Sequence, residues 1–178
     1  KPMGDDTKPN ILFILADNVG YGVLSCYNGG ILDTTTPRID KLAAEGLRLT
    51  NFNVENQCTP SRAALMTGRL PIRSGIGKAI AAGGPGGLHP WEITIAEMLG
   101  DVGYRTAIFG KWHLGTDPTG FDRWIVLPGQ GAYIDPVFLV PGARLTIKGH
   151  CTDITADLGI EFLETRPKEK PFFLMLHQ

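Results

Sequence analysis

The stretch of sequence that decides the fold is IAEMLGDVGYRTAIFGKWHLG, residues 95–115. Its first part has four apolar residues at the i, i+3, i+4, i+7 spacing of one helix face: Ile95, Met98, Leu99 and Val102. Gly103 ends this pattern, and YRTAIFG (104–110) then has the composition of a buried strand. A helix followed directly by a strand is the repeating unit of an α/β fold, so this stretch predicts a sheet flanked by helices.

The same alternation occurs on both sides of this stretch. PNILFILA (9–16) is a continuous apolar run typical of a central strand buried on both faces, and TPRIDKLAAEG (36–46) has the capping residues of a short amphipathic helix. Later in the chain, residues 152–166 have an apolar helix face, and PFFLMLH (171–177) follows as another buried strand. Together these elements predict an α/β fold with a mostly parallel sheet, whose ligands bind beyond the carboxyl ends of the strands.

Polar residues follow two of the predicted strands. Asp17 and Asn18 come directly after the first strand, and GKWHLG (110–115) follows the strand in the middle of the chain. Because the carboxyl ends of parallel strands open on one edge of a sheet, we expect both groups at the same edge. Lys111 and His113 can orient or neutralise an oxyanion there. Taken alone, an Asp-Asn pair is also typical of a turn and a Lys-x-His sequence of a solvated loop, so these alternatives stay open.

CTPSRAALMTGR (58–69) has a cysteine and an arginine at the start of another predicted helix. Thr59 and Pro60 form a Thr-Pro helix start with Thr59 as the N-cap, so Cys58 is predicted to precede the N-cap. The first-turn N–H groups and the helix dipole favour negative charge there, and Arg62 lies about one turn further on, within reach of an oxyanion. This arrangement predicts an anionic ester as substrate. The alternative is a small buried Cys58 and a solvated Arg62.

Other residues of these types are expected to have structural roles. AIAAGGPGGLHP (79–90) has too many Gly and Pro residues for regular structure and predicts a surface loop or lid. Arg69, at the end of the cysteine-bearing helix, is expected to brace loops. Five further residues are expected to take no part in the chemistry: His89, His150, His177, Cys26 and Cys151.

Composition and charge argue against several classes of protein. The chain has 178 residues, enough for one domain with a sizeable core. Its 17 basic and 18 acidic side chains give a net charge of −1 without a polybasic patch, which argues against nucleic acid or a membrane surface as a partner. The longest apolar run, residues 11–16, is far shorter than the ~20 residues of a membrane-spanning helix. The three widely spaced cysteines match neither a disulfide framework nor a zinc site.

Residues 58–69 resemble the sulfatase signature, which begins with Cys or Ser, any residue, Pro, Ser and Arg and continues with Leu, Thr-Gly and Arg. Three other blocks resemble sulfatases in family order: PNILFILADNVGYG, TTPRIDKLAAEGLRLTNF and GYRTAIFGKWHLG, the last being similar to the second sulfatase signature. The resemblance covers most of the chain and implies an alkaline-phosphatase-like α/β fold. Residues 1–8 are predicted from their composition to be a polar tail. The resemblance further implies that 9–178 are the amino-terminal part of a sulfatase catalytic domain, with the carboxyl-terminal part absent.

For the chemistry, the resemblance implies hydrolysis of sulfate monoesters by a nucleophile made from Cys58. A separate maturation enzyme converts this cysteine into formylglycine, an aldehyde that hydrates to a gem-diol. One hydroxyl attacks sulfur and expels the alcohol, and the other then loses its proton and ejects sulfate, which restores the aldehyde. The resemblance assigns Lys111 to the diol and sulfate oxygens and His113 to a hydrogen bond with the diol. Arg62 completes the predicted catalytic set.

The resemblance also implies a divalent cation, with Ca²⁺ as the family expectation and Mg²⁺ as the alternative. Asp17 and Asn18 match the paired acids of the sulfatase metal site, and the matured residue at Cys58 is the third predicted ligand. Asn18 departs from the family pattern, but an amide oxygen is a suitable calcium ligand. Sulfatases take further acid or amide ligands from later in the chain, so the predicted site is incomplete.

The resemblance implies two partners, a sulfated small molecule or glycan and the maturation enzyme. It implies a periplasmic, secreted or lysosomal location. Two alternatives stay open beside the sulfatase hypothesis. One is a phosphodiesterase or phosphonate hydrolase of the same superfamily, because the same geometry can hold a phosphoryl group. The other is an inactive fragment that keeps only the fold.

Overall fold

The computed structural model describes residues 8–29, 35–81 and 84–178. The chain divides into two compact units: the first is Lys1–Leu15 together with Glu55–Gln178, and the second is Ala16–Val54. Except for Lys8, the predicted polar tail, residues 1–8, lies outside the described residues.

The first unit is built around a six-stranded sheet. Its strands are β1 (Ile11–Leu15), β2 (Arg105–Lys111), β3 (Arg123–Leu127), β4 (Val137–Val140), β5 (Ala143–Thr146) and β6 (Phe172–His177). The strand order is β1-β6-β2-β3-β4-β5. The first three neighbouring pairs are parallel, whereas β4 pairs antiparallel with β3 and with β5. The prediction of an α/β fold with a mostly parallel sheet is confirmed, and the β4–β5 hairpin adds an antiparallel edge that the sequence pattern did not predict.

Within the first unit, α-helices cover both faces of the sheet. The described helices are α1 (Ser25–Asn28), α2 (Pro37–Glu45), α3 (Cys58–Thr67), α4 (Ile95–Asp101) and α5 (Cys151–Thr165). Of these, α3 and α4 lie on one face of the sheet and α5 on the other. None of these described helices is long and apolar enough to cross a lipid bilayer. Successive side chains of a strand point to opposite faces. Accordingly, Ile108 of β2 packs in one core with Met66 of α3, whereas Ala107 and Phe109 pack in another with Phe162 of α5.

β1 does not occupy the central position predicted for it. It lies at one edge of the described sheet, and β6 and β2 are interior strands. Ile11 and Phe13 pack against the core, while Leu12 and Ile14 are 49% and 59% exposed. A continuous apolar run indicates only that both faces of a strand can be buried. It does not specify that other elements cover both faces or that a strand lies on each side, so the prediction of a central strand was wrong.

The second unit contains the helix predicted over residues 36–46. It is observed as α2, with Thr36 as the N-cap and Gly46 as the C-cap. Asp40 of α2 accepts hydrogen bonds from Oγ of Ser25 at 2.6 Å and from Oγ1 of Thr36 at 3.0 Å. These bonds, chiefly that of Ser25, lower the pKa of Asp40. Because Ser25 belongs to α1, the network joins α1 to α2.

Candidate active site

The helix that carries Cys58 begins at that cysteine and not, as predicted, two residues later. Gln57 is the N-cap with extended backbone (φ −146°, ψ 164°), and its carbonyl oxygen accepts a hydrogen bond from the N–H of Ser61 at 3.0 Å. Pro60 is tolerated at the third helical position because N–H groups in the first turn have no acceptor within the helix. Cys58 is therefore a first-turn residue, and its thiol is free and half-buried.

Arg62 packs against the sheet, so the alternative of a solvated arginine is wrong. Only 2% of its surface is exposed. Its Nη1 donates a hydrogen bond to the carbonyl oxygen of Lys111 and lies 2.8 Å from Nδ1 of His177. Lys111 is the last residue of β2 and His177 the last residue of β6. These contacts hold the first turn of α3 at the carboxyl ends of two interior parallel strands.

The segment that leaves β2 is buried, so the alternative of a solvated Lys-x-His loop is also wrong. Lys111 is buried, and its Nζ donates a hydrogen bond to Oε1 of Gln130 at 2.5 Å. His113, two residues later, is buried as well and has a left-handed backbone conformation with φ 55°. The turn after β2 therefore holds an ammonium group and an imidazole at the same end of the sheet as Arg62.

The hydrogen bonding of His113 indicates which nitrogen carries the proton in the neutral ring. Its Nε2 lies 2.8 Å from the carbonyl oxygen of Ile80. Because a carbonyl oxygen can only accept, Nε2 carries the proton and donates to it. In the neutral ring Nδ1 is then an acceptor, and this buried atom has no hydrogen-bond partner within the described part of the chain. His113 thus has a lone pair available to a hydroxyl group.

A short backbone segment joins the start of α3 to His113. The N–H of Ala79 donates to Oε1 of Gln57 at 2.6 Å, and the N–H of Ile80 donates to Oγ1 of Thr59 at 3.1 Å. The carbonyl of the same Ile80 accepts the bond from His113. These three bonds bring the imidazole and the cysteine-bearing turn together.

The loop predicted over residues 79–90 is irregular, as expected, but both of its described ends are anchored. Besides the bonds of Ala79 and Ile80, Leu88 is buried and its N–H donates to the carbonyl oxygen of Leu114 at 2.9 Å. Ala82 and Gly83 lie outside the described residues. The described ends of this loop are therefore tied to the start of α3 and to the segment that follows β2.

His177, which sequence reasoning left out of the site, lies among the predicted residues. It is 1% exposed, and its Nδ1 is 2.8 Å from Nη1 of Arg62 and 2.9 Å from the carbonyl oxygen of Lys111. A polar residue at the end of an otherwise apolar strand was the only signal for this position. That signal does not distinguish a site residue from the first residue of a solvated loop.

The predicted metal ligands Asp17 and Asn18 belong to the second unit, whereas Cys58 belongs to the first. Asn18 has φ 58°, a conformation that Asn adopts more readily than most residues. Carboxylate and amide oxygens suit Ca²⁺, which takes about six to eight oxygen ligands. Within the described ranges, however, no cluster of three or more His, Cys, Asp or Glu side chains can hold a metal ion. These residues alone do not complete a calcium site.

The structure describes the surroundings of four of the residues that the sequence left outside the chemistry. His89 stacks on Trp91 with ring centroids 4.1 Å apart, and Nδ1 of His150 accepts a hydrogen bond from the N–H of Thr152 at the start of α5. Cys151 packs in the core, whereas Cys26 is half-buried. All three cysteines are described, and none forms a disulfide.

Arg69 braces a loop, as predicted, by binding a buried carboxylate. Its Nη1 donates to Oε1 and Oε2 of Glu92 at 2.9 and 2.6 Å, and Glu92 is 6% exposed. Arg69→Met leaves this carboxylate without its cation, so we expect the free energy of unfolding to fall by about 1–3 kcal/mol. Urea denaturation measures the loss, and Arg73→Met, at an exposed arginine, is the matched control with about 0.5 kcal/mol or less. Equal losses for the two variants would contradict the bracing role.

Comparisons with known proteins agree with this geometry. The sulfatase family model matches residues 9–178. The chain is 40% identical over 182 residues to N-acetylglucosamine-6-O-sulfatase of Bacteroides thetaiotaomicron, a match that covers 99% of this chain and 31% of that protein. It is 53% identical over 130 residues to human arylsulfatase A, covering 67% of this chain and 25% of that protein.

The fold is also similar to a solved structure, that of BT4656 in complex with its substrate D-glucosamine-2-N,6-O-disulfate. The TM-score is 0.87 at 39% sequence identity, and the match covers 97% of this chain and 34% of the other. The chain spans about a third or less of the length of these relatives and corresponds to the amino-terminal portion of larger sulfatases. The predicted alkaline-phosphatase-like fold is thereby confirmed. From its sequence and its structure alike, the chain belongs to the sulfatase family.

Proposed function

We propose that this chain carries the nucleophile and anion-binding groups of a hydrolase that cleaves sulfate monoesters. The observation that supports this most directly is that Arg62 of α3 is buried and donates a hydrogen bond to the carbonyl oxygen of Lys111. A buried guanidinium, a buried ammonium group and a helix amino terminus all favour negative charge at one place. A sulfate ester and the oxyanion formed during its hydrolysis both supply such charge.

Each residue of this set has a distinct role in the proposal. Once a maturation enzyme has converted it to formylglycine, Cys58 would supply a hydrated aldehyde. One hydroxyl would attack sulfur as the alcohol leaves, and the other would lose its proton as sulfate leaves and the aldehyde is restored. Arg62, which is hydrogen-bonded to the carbonyl oxygen of Lys111, stabilises negative charge on the oxygen of residue 58. Lys111 neutralises sulfate oxygens and so serves in catalysis and in substrate binding. Nδ1 of His113 accepts a hydrogen bond from the hydrated nucleophile.

We further propose that Asp17, Asn18 and the matured residue 58 are the ligands that this chain contributes to a divalent cation, Ca²⁺ or Mg²⁺. Such an ion would neutralise sulfate oxygens. The support is the type of the two side chains and their match to the paired acids of sulfatases. The remaining ligands are not identified among the described residues.

For the substrate we propose a sulfated glycan or small sulfated molecule. This rests on the names of the relatives, one an N-acetylglucosamine-6-O-sulfatase and another an arylsulfatase. The proposed partner in maturation is a formylglycine-generating enzyme. The corresponding location is the periplasm, the exterior of the cell or a lysosome.

The test combines the chemical state of residue 58 with the choice of ester. The full-length protein is expressed with a maturation enzyme, and mass spectrometry of the peptide containing residue 58 is expected to show an aldehyde in place of the thiol. The matured protein is then given 4-nitrophenyl sulfate and 4-nitrophenyl phosphate in parallel, and faster hydrolysis of the sulfate is expected. An unmodified thiol, when a known sulfatase is matured in the same cells, contradicts the proposal. Faster hydrolysis of the phosphate would favour the phosphodiesterase or phosphonate hydrolase alternative.

A further inference from the structure

The two neighbours of Cys58 in the chain bind the same distant segment. The side chain of Gln57 accepts a hydrogen bond from the N–H of Ala79 at 2.6 Å, and that of Thr59 accepts one from the N–H of Ile80 at 3.1 Å. Thr59 is 0% exposed, whereas Gln57 is exposed. We call Gln57 and Thr59 the flanking pair, because these residues on either side of Cys58 hold two consecutive peptide N–H groups.

Few other polar contacts hold the segment that the flanking pair binds. Within the described part of the chain, three hydrogen bonds connect residues 77–81 to positions before residue 77 or after residue 90. Two of them are the bonds to the flanking pair. The third joins the carbonyl oxygen of Ile80 to Nε2 of His113 at 2.8 Å. Among the described residues, the flanking pair therefore supplies the hydrogen bonds that locate Ile80 independently of His113.

The backbone transmits this restraint to the carbonyl of Ile80. Peptide planes are rigid, so only the two torsion angles of Ile80 separate its N–H group from its carbonyl group. Because the N–H groups of Ala79 and Ile80 are both held, two consecutive peptide planes are restrained before the chain reaches this carbonyl. The positions that its oxygen can take beside His113 are limited accordingly.

The carbonyl of Ile80 in turn selects the tautomer of His113. A carbonyl oxygen can only accept a hydrogen bond, so it favours the ring with the proton on Nε2 and leaves Nδ1 as an acceptor. His113 is 6% exposed, and its buried Nδ1 has no hydrogen-bond partner among the described residues. If the carbonyl moves away, the proton can lie on either nitrogen. A ring with the proton on Nδ1 cannot accept a hydrogen bond there.

We propose that Gln57 and Thr59 are positioning residues that hold the carbonyl of Ile80 and, through it, fix the tautomer and the place of the His113 imidazole. The proposal rests on the sulfate-ester chemistry proposed above, in which Nδ1 of His113 accepts a hydrogen bond from the hydrated nucleophile. It goes beyond the sulfatase signature, in which any residue can follow the cysteine. It predicts that activity depends on an acceptor oxygen at position 59 and not on the shape of that side chain.

Two substitutions at Thr59 separate the role of the hydroxyl from that of packing. Thr59→Val keeps the shape but has no oxygen, whereas Thr59→Ser keeps the oxygen and loses a methyl group. Thr106→Val is the matched control. Thr106 is 1% exposed, and its Oγ1 also accepts a hydrogen bond from a backbone N–H, that of Asp122 at 2.9 Å. It lies near the start of β2, whereas Lys111 ends that strand.

The kinetic test uses the full-length, matured protein with 4-nitrophenyl sulfate. Each rate is divided by the formylglycine content of the variant, which mass spectrometry measures, so that a change in maturation is not mistaken for a change in catalysis. We expect Thr59→Val to lower kcat by about 10- to 100-fold, because a misplacement of about 1 Å can cost about 100-fold. We expect Thr59→Ser and Thr106→Val to stay within about threefold of the parent, although the melting temperature of Thr106→Val falls.

Two kinetic results would overturn the proposal. One is a rate of Thr59→Val within about twofold of the parent, since the hydroxyl would then position nothing that the reaction uses. The other is a loss in Thr59→Val that Thr59→Ser or Thr106→Val shares in full. Such a loss would follow from altered packing or lower stability and not from the missing acceptor.

A second readout observes the ring itself and does not need turnover. In protein with ¹⁵N-labelled histidine, long-range ¹H–¹⁵N NMR spectra of the neutral ring show which nitrogen carries the proton. The signals of His113 are identified by their loss in His113→Gln. We expect the Nε2–H tautomer in the parent, in Thr59→Ser and in Thr106→Val. We expect a mixture of both tautomers in Thr59→Val and in Gln57→Met, which removes the other acceptor of the flanking pair.

The spectra also keep the proposal testable if a variant or the proposed function fails. Because Gln57 is exposed, Gln57→Met is expected to fold even if Thr59→Val does not. Unchanged His113 signals in Thr59→Val, or in Gln57→Met if the Val variant does not fold, would contradict the positioning role. If the parent hydrolyses no sulfate ester, the proposed function fails, yet these signals still decide whether the flanking pair fixes the imidazole.

Discussion

Cys58→Ala is expected to lower the rate of sulfate ester hydrolysis by about 10⁴-fold or more in the full-length, matured protein, because alanine supplies neither a thiol to mature nor a nucleophile. The anion-binding groups are expected to stay in place, since Arg62 contacts Lys111 and His177. The variant is therefore expected to bind sulfate but not to turn over its ester. Calorimetry with sodium sulfate measures the binding, and steady-state hydrolysis of 4-nitrophenyl sulfate measures the turnover.

The chain offers a matched control for this substitution. Cys26 is also a free, half-buried cysteine, and it has no role in the proposed chemistry. Cys26→Ala is expected to keep the parent rate after the same maturation. Because Cys58 is only half-buried, its replacement is expected to change the free energy of unfolding by about 0.5 kcal/mol or less. Undiminished hydrolysis by Cys58→Ala would refute the assignment of the nucleophile.

Gly110→Ala is expected to have the largest effect on stability, a loss of about 3–5 kcal/mol in the free energy of unfolding. Gly110 precedes Lys111 in β2 and pairs with His177 of β6. Its φ is +97°, and a Cβ atom at this position would lie 1.9 Å from the carbonyl oxygen of His177. An alanine therefore forces apart two interior strands at the end where the site is built. Urea denaturation measures this loss, and hydrolysis is expected to fall with it because Lys111 and His177 move.

Gly103→Ala separates this steric clash from backbone strain. Gly103 has a similar φ of +92°, but no atom lies within 4 Å of a Cβ added there. We expect Gly103→Ala to cost only the strain of the unfavourable conformation, about 1–2 kcal/mol. If Gly103→Ala costs as much as Gly110→Ala, the close approach of β2 to His177 is not what requires a glycine.

Much of the fold could be predicted from local patterns. The strand predicted over 104–110 is Arg105–Lys111, and the helix predicted over 36–46 is Pro37–Glu45. Both have strong signals: apolar composition in the first, and Thr, Pro and Gly at the ends of the second. The start of α3 was less accurate because Thr-Pro favours a helix start without excluding one two residues earlier. The edge position of β1 could not be predicted, since the residues of a strand do not specify which strands lie beside it.

The candidate site was predicted in part. Arg62, Lys111 and His113 were named from the sequence, and the structure brings these three together at the carboxyl ends of the interior strands. Whether they act as proposed stays a prediction. His177 was left out because a single histidine after an apolar strand has no distinctive spacing.

By itself, the sequence determined the alternation of helices and strands, the helix that carries Cys58 and the family to which the chain belongs. Each of these features depends on residues that lie close together in the sequence, because periodicity, capping and signature motifs extend over only a few residues. The tertiary structure alone decided that Arg62 is buried and that His177 lies beside it. The physical reason is that these contacts join groups 49 and 115 residues apart in the chain, which meet only when α3 packs across the ends of β2 and β6.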